Sequence, residues 1–134
     1  MPLRSLLAGL ALAWAAPAPV APSVEPYSPA FNRLVPKGTP VEIVADGFQW
    51  AEGPVWVAGG GYLLFSDVPR NRIYRWAPGG GAAAIFLEPS GGPGGPGFRE
   101  PGTNGLKPAG PGRLLVADQG HRAIALLDLR TKAK

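Results

Sequence analysis

The chain has 134 residues, enough for one ordinary domain and a short leader. Its 20 glycines and 17 prolines exclude a helical bundle and favour short strands joined by turns. No cysteine is present, so a disulfide framework and a thiolate metal site are excluded. The net charge of +4 comes from bases spread singly along strand-like segments, and this spacing argues against a nucleic-acid partner.

The first residues have the pattern of a secretory signal. Arg4 supplies a positive charge, an apolar run extends from Leu6 to Trp14, and Ala13-Trp14-Ala15 fits the small-x-small cleavage rule. The run is shorter than the roughly 20 apolar residues that a spanning helix needs, so we expect no stable membrane anchor. We therefore expect a signal peptide at residues 1–16, a Pro-rich linker at 17–40, and a periplasmic or secreted protein. The alternative is an apolar N-terminus on a cytoplasmic protein.

From Val41 onward, short β-forming runs alternate with turns rich in Gly, Pro and Asn. No stretch after the leader keeps a helical period for long, so the predicted fold class is all-β. The predicted strands are Val41–Ala45, Pro54–Val57, Tyr62–Ser66, Arg72–Trp76, Ala83–Leu87, Arg113–Ala117 and Ala123–Leu127.

These runs repeat when the chain is shifted by about 51 residues. Five of the sixteen positions of 61–76 are identical in 112–127, and the strongest part sets Gly61–Asp67 against Gly112–Asp118. A repeat of about 40–50 residues with four short strands is typical of a β-propeller blade. Chance similarity in a Gly-rich chain is the alternative.

Two blades cannot close a propeller, which needs roughly four to eight. We place blade 1 at about 50–88, a loop at 89–102 and an incomplete blade 2 at about 103–134, so that 41–134 forms a partial propeller. The missing blades would be needed to close the ring. We therefore expect a truncated, frameshifted or partial chain that is inactive by itself.

The repeated strings also resemble a known family. Ala51-Glu-Gly-Pro-Val-Trp56, followed by Tyr62–Asp67 and Asn71–Trp76, is similar to the opening blade of the bacterial gluconolactonase/SMP-30 group, and Thr103-Asn-Gly-Leu106 is similar to its second blade. The resemblance implies a six-bladed β-propeller that hydrolyses sugar lactones. It also implies a divalent cation in the central channel, usually calcium, with Zn²⁺ or Mg²⁺ as alternatives.

The resemblance, the repeat and the loop before the second copy together give four candidate site residues. The Glu of the E-G-P-x-W motif, a metal ligand in the family, maps onto Glu52, and oxygen ligands suit hard cations. Asn104 overlays Glu52 once one extra residue of slip is allowed, which makes it a substrate-binding candidate or a turn Asn before Gly105. Gln119 stands where related sequences often have a His, and Arg99 lies in a loop that could face an anionic substrate, so both are further substrate-binding candidates. The family's other ligands and its general base have no counterpart before Lys134, so the catalytic residues are unknown.

Three further patterns are set aside. Asp67 and Asp118 recur at equivalent positions, so we expect them to cap turns rather than to form an acid–base pair. His121 is expected to be an exposed turn residue. The G-x-G-x-x-G string at 92–97 contains two prolines and precedes no predicted helix, so it is no dinucleotide site. A non-catalytic binding propeller, or a remnant of one, remains the alternative function.

Overall fold

The structure is a computed structural model that describes residues 23–134. The predicted signal peptide at 1–16 lies outside the described residues, as does the beginning of the predicted linker. The chain divides into one unit that ends at Glu42 and a second unit, Ile43–Lys134. No helix in the described part is both long and apolar enough to cross a membrane.

The first unit contains a short 3₁₀-helix, Pro29–Arg33. Ser28 caps it, because the Ser28 hydroxyl accepts a hydrogen bond from the Ala30 N–H at 3.2 Å. Proline at the first helical position suits this start, since its fixed φ is already helical. The Pro-rich segment therefore forms one local turn of helix.

The second unit consists of two antiparallel sheets, which confirms the all-β fold class. The first sheet has four strands in sequential order, β1 (Ala51–Val57), β2 (Tyr62–Asp67), β3 (Arg72–Trp76) and β4 (Ala84–Leu87). The second has three, β5 (Thr103–Pro108), β6 (Arg113–Asp118) and β7 (Ala123–Asp128). A single 3₁₀ turn, Ala58–Gly60, joins β1 to β2.

Two strand predictions failed. The predicted strand Val41–Ala45 is wrong, because residues 41–50 form no ladder in the structure. Strand β5 was missed, because its Asn104-Gly105 pair has the composition of a turn. Strand β5 forms because Leu106 pairs with Val116 and is buried. This tertiary contact outweighs the turn propensity of Asn104-Gly105.

The hydrophobic core lies between the two sheets. Leu114 and Val116 alternate along β6 and face the first sheet, whereas Leu64 and Ile73 face back towards them. Burial of each such side chain stabilises the fold by about 1.5–3 kcal/mol. The complete buried cluster is Val55, Leu64, Ile73, Leu106, Leu114, Val116 and Leu127.

The opposite face of the first sheet is also covered, by an aromatic cluster. Phe48 packs edge-on against Phe65 and Tyr74, with ring centroids 4.7 Å and 4.9 Å apart. Such edge-to-face pairs add about 0.5–1.5 kcal/mol beyond the area they bury. The segment before β1 is thereby held against the sheet.

The opposite face of the second sheet is apolar and exposed. Leu115, Ile124 and Leu126 are 40%, 69% and 44% exposed there. In the 51-residue repeat, Leu115 and Ile124 correspond to Leu64 and Ile73, which are fully buried because the second sheet covers them. The outer face is therefore an exposed apolar surface of the same composition as the face that the second sheet covers on the first.

The first strands of the two sheets approach each other at a pair of β-bulges. Each strand carries one extra residue relative to its partner, between Glu52 and Val55 in β1 and between Thr103 and Leu106 in β5. Gly53 has a left-handed φ of 56°, and a Cβ placed on it would lie 2.5 Å from the carbonyl oxygen of Asn104. Only glycine allows this backbone approach.

We predict that Ile124→Lys reduces self-association of the isolated chain, because it places a charge on the outer apolar face. Sedimentation velocity would show smaller species with an unchanged far-ultraviolet circular dichroism spectrum. The control is Leu127→Lys, which buries an unpaired charge in the core and should abolish the β signal. A wild-type chain that is a monodisperse, cooperatively melting monomer would contradict the prediction.

A second prediction separates backbone strain from close approach. Gly53 and Gly61 both have positive φ, but a Cβ on Gly61 would meet nothing within 4 Å. We expect Gly61→Ala to lower the free energy of unfolding by about 1 kcal/mol through strain alone, and Gly53→Ala to lower it by about 3 kcal/mol because the two backbones must also separate. Urea denaturation in the Ile124→Lys background measures both values, and equal losses would show that the approach is unimportant.

Candidate functional site

Glu52 and Asn104 occupy equivalent places in the two sheets. Ala51 pairs with Asp67 and Thr103 with Asp118, so β1 and β5 correspond with an offset of 52 rather than 51 residues. The slip that the sequence predicted is thus present in the structure. Both residues are half-buried, on strands that touch at this level.

The surroundings of both residues are polar. The Glu52 Oε1 accepts a hydrogen bond from the Trp50 indole N–H at 3.1 Å. Ser66 lies directly opposite Glu52 in the ladder, and its hydroxyl donates to the carbonyl oxygen of Asn104 at 2.9 Å. Glu52 and Asn104 therefore lie at the same end of adjacent strands, with the Glu52 carboxylate and the Asn104 backbone each fixed by a hydrogen bond.

The Gln119 side chain lies in the turn between β6 and β7. Its Oε1 is buried and has no hydrogen-bond partner among the described residues. Because Asp118 pairs with Thr103, this turn is at the same end of the second sheet as Asn104. The unpartnered acceptor is notable, since buried polar atoms are nearly always hydrogen-bonded.

Arg99 is exposed in the connection between β4 and β5. Within the part of the chain that the structure describes, no hydrogen bond joins Arg99 to Glu52, Asn104 or Gln119, so its role stays a prediction. The glycine-rich string at 92–97 lies in the same connection, which leads into strand β5 and not into a helix. This context supports the rejection of a dinucleotide site.

The repeated aspartates are buried and hold the segments that lead into their own sheets. Asp67 accepts from the backbone N–H groups of Gln49 and Trp50, both at 3.1 Å. Asp118 accepts from the Gly92 N–H at 2.9 Å. It also accepts from the backbone of its own turn, as expected of a turn cap. The turn-cap prediction is wrong for Asp67, because its backbone partners precede β1.

Asp118 has two basic neighbours. The His121 Nδ1 lies 3.0 Å from the Asp118 carboxylate, and the Lys134 ammonium group also donates to it. Burial alone would raise the pKa of the Asp118 carboxyl, but the hydrogen bonds from His121, Lys134 and Gly92 outweigh burial and hold this pKa well below its usual range. The His121 side chain is 59% exposed, as expected of a turn residue.

Three buried hydroxyl residues were missed by the sequence analysis. Ser66, Thr103 and Ser90 are fully buried. The Ser66 and Thr103 hydroxyls lie 3.1 Å apart, and the Ser90 hydroxyl accepts from the Thr103 N–H at 3.1 Å. A signal was available, because the repeat replaces Ser66 by Ala117 while the neighbouring aspartates are identical.

The donor chemistry of the site fits a hard cation in part. Carboxylate and amide oxygens suit Ca²⁺ or Mg²⁺, and Glu52 and Asn104 supply one of each. Within residues 23–134, no group of three or more His, Cys, Asp or Glu side chains could hold a metal. Since Ca²⁺ takes six to eight oxygen ligands, these two residues would be only part of a ligand set.

We predict that Asp118 makes the fold sensitive to acid. Its folded pKa lies below the unfolded value of about 3.9, so it stabilises the fold above that pH, and the stabilisation is lost as the pH falls below about 4. Urea denaturation at pH values from about 5 to about 2 should therefore show a steeper loss for the parent than for Asp118→Asn. Asp46→Asn controls for removal of one negative charge. Equal slopes for the parent and Asp118→Asn would contradict the prediction.

Comparison with known proteins finds relatives of a single family. Residues 50–134 match the SMP-30/gluconolactonase/LRE-like region. A gluconolactonase from Zymomonas mobilis subsp. mobilis is 46% identical over 112 residues, which cover 81% of this chain and 31% of the relative.

A solved structure shows the same fold. The X-ray structure of a protein provisionally named a gluconolactonase superposes with a TM-score of 0.60 at 30% identity, over 76% of this chain and 31% of that protein. The chain therefore spans about a third of the length of the proteins it matches. From the matched region, the motifs and the fold together, we conclude that this chain belongs to the SMP-30/gluconolactonase/LRE-like family.

Proposed function

We propose that the chain forms the first two blades of a six-bladed β-propeller that hydrolyses sugar lactones. The similarity to a gluconolactonase supports the activity. The packing of one sheet on the next, with an exposed outer face of repeated chemistry, supports the propeller. Four further blades would complete the ring. The leader pattern supports a periplasmic or secreted location.

The observation that carries this proposal is the juxtaposition of Glu52 and Asn104 on touching strands. Glu52 would be a ligand of a divalent cation, with calcium as the first candidate and Zn²⁺ or Mg²⁺ as alternatives. Such a cation, when bound, polarises an ester carbonyl and lowers the pKa of water. Further ligands and the general base would come from other blades.

The remaining residues of the site would bind the substrate. The Asn104 amide can donate to and accept from the ring hydroxyls of a sugar lactone. The Gln119 Oε1, which is buried and has no partner in the described structure, would accept from another hydroxyl if the side chain turned towards the substrate. Arg99 carries a positive charge suited to the carboxylate that lactone hydrolysis releases.

A chimera tests the activity. Residues 40–134 of this chain would replace the matching segment of the Zymomonas gluconolactonase, and hydrolysis of gluconolactone would be followed in a pH-stat. We expect the chimera to be active and Glu52→Gln to lower kcat/KM by at least about a hundredfold, because the substitution removes a charged metal ligand. Asp46→Asn, which removes an exposed carboxylate, should leave activity unchanged.

The possible outcomes separate the functions. A folded chimera without lactonase activity would contradict the enzyme and favour a non-catalytic binding propeller or a remnant. An active chimera in which Glu52→Gln has no effect would contradict the role of Glu52 alone. Translation of the DNA downstream of Lys134 in all three frames would show whether further blades with Asn and Asp ligands are encoded there.

A further inference from the structure

We infer that Ser66 is a positioning residue that sets Glu52 and Asn104 relative to each other. The inference rests on the proposed function, in which these two residues bind the metal and the substrate. Ser66 is fully buried at the end of β2. It is the direct ladder partner of Glu52, and its hydroxyl binds the backbone of Asn104.

The direction of the hydrogen bonds follows from the number of hydroxyl hydrogens. Ser66 has one, and it goes to the carbonyl oxygen of Asn104 at 2.9 Å. In the 3.1 Å contact between the Ser66 and Thr103 hydroxyls, Thr103 must therefore be the donor. Ser66 thus accepts from one residue of β5 and donates to the next, which fixes the rotation of the β5 bulge.

The repeat shows that the hydroxyl is not needed to build a blade. The counterpart of Ser66 is Ala117, which pairs with Ile124 in the same type of ladder. Ser66 lies on the face of the first sheet that packs on the second sheet, and Ala117 lies on the corresponding, exposed face of the second sheet. Serine is thus present where that face meets β5 beside Glu52, and alanine where the face is exposed. This difference assigns the Ser66 hydroxyl to the junction between the first strands.

The position of the hydroxyl explains how it would act on the site. The absence of a side chain at Gly53 lets β1 and β5 approach each other. It does not fix the orientation of one strand relative to the other. A hydrogen bond between buried groups does set a direction, and it is costly to break without a replacement partner. The Ser66 side chain therefore orients Asn104 through its hydrogen bond, and the Ser66 backbone orients Glu52 through their pairing in the ladder.

The test compares Ser66→Ala with Ser90→Ala in the chimera described above, in which the blades of the Zymomonas protein would supply the remaining ligands. Both serines are fully buried and belong to the same network, but Ser90 contacts Thr103 and not Asn104. The probe is terbium(III) alone, with emission sensitised by tryptophan, since Trp50 is hydrogen-bonded to Glu52. We expect Ser66→Ala to weaken terbium binding about tenfold, and Ser90→Ala to leave it unchanged.

A second readout does not need the metal. The side-chain amide resonance of Asn104, assigned by its loss in Asn104→Asp, should shift in Ser66→Ala and stay in place in Ser90→Ala. An unshifted resonance in Ser66→Ala would overturn the inference. So would unchanged terbium binding in Ser66→Ala when Glu52→Gln abolishes it. If the active chimera binds no terbium, or if Glu52→Gln binds as the parent chimera does, the proposed metal role of Glu52 fails instead, and the resonance alone decides the role of Ser66.

Discussion

The first strands of the two sheets can touch because Gly53 has a left-handed backbone and no side chain. The rest of the arrangement depends on this contact. It brings two β-bulges together, and Glu52 and Asn104 lie at these bulges, at the same end of the two sheets. It also lets β2 come near enough to β5 for the Ser66 hydroxyl to reach the Asn104 carbonyl oxygen. Backbone approach, sheet packing and site geometry thus share one cause.

The repeat separates residues that serve each sheet from residues that serve the site. Asp67 and Asp118 are identical, and each pairs with a basic side chain three residues later, Arg70 in one sheet and His121 in the other. In each copy, this aspartate also binds the backbone of the segment that precedes the first strand of its sheet. Two of the positions that differ between the copies are Glu52 against Asn104 and Ser66 against Ala117, and Glu52, Asn104 and Ser66 meet at the junction of the first strands. Most aligned positions differ, so divergence points to function only where it coincides with this polar junction.

Much of the fold could be predicted from the sequence, because alternating apolar residues and glycine turns are local signals. Six predicted strands form within one or a few residues of their expected bounds. The failures were non-local. Val41 and Ile43 have high β-propensity but are 43% and 80% exposed in a segment that forms no ladder, whereas β5 pairs despite a turn-like composition. For the site, the one-residue slip in the repeat predicted that Glu52 and Asn104 occupy equivalent positions in the two sheets. The role of Ser66 and the unpartnered Gln119 oxygen depend on contacts between distant residues, which composition and periodicity do not contain.

The exposed outer face and the small number of oxygen donors have the same geometric origin. A further sheet packed on Leu115 and Ile124, in the way that the second sheet packs on Leu64 and Ile73, would bring its own first strand beside β5. That strand would present a residue at the level of Asn104, as β5 does at the level of Glu52. Each added blade would then bury one apolar face and contribute one side chain to the ring of first strands. In the proposed propeller, closure of the hydrophobic surface and assembly of the ligand set would be one process, so stability and metal binding are expected to be gained together.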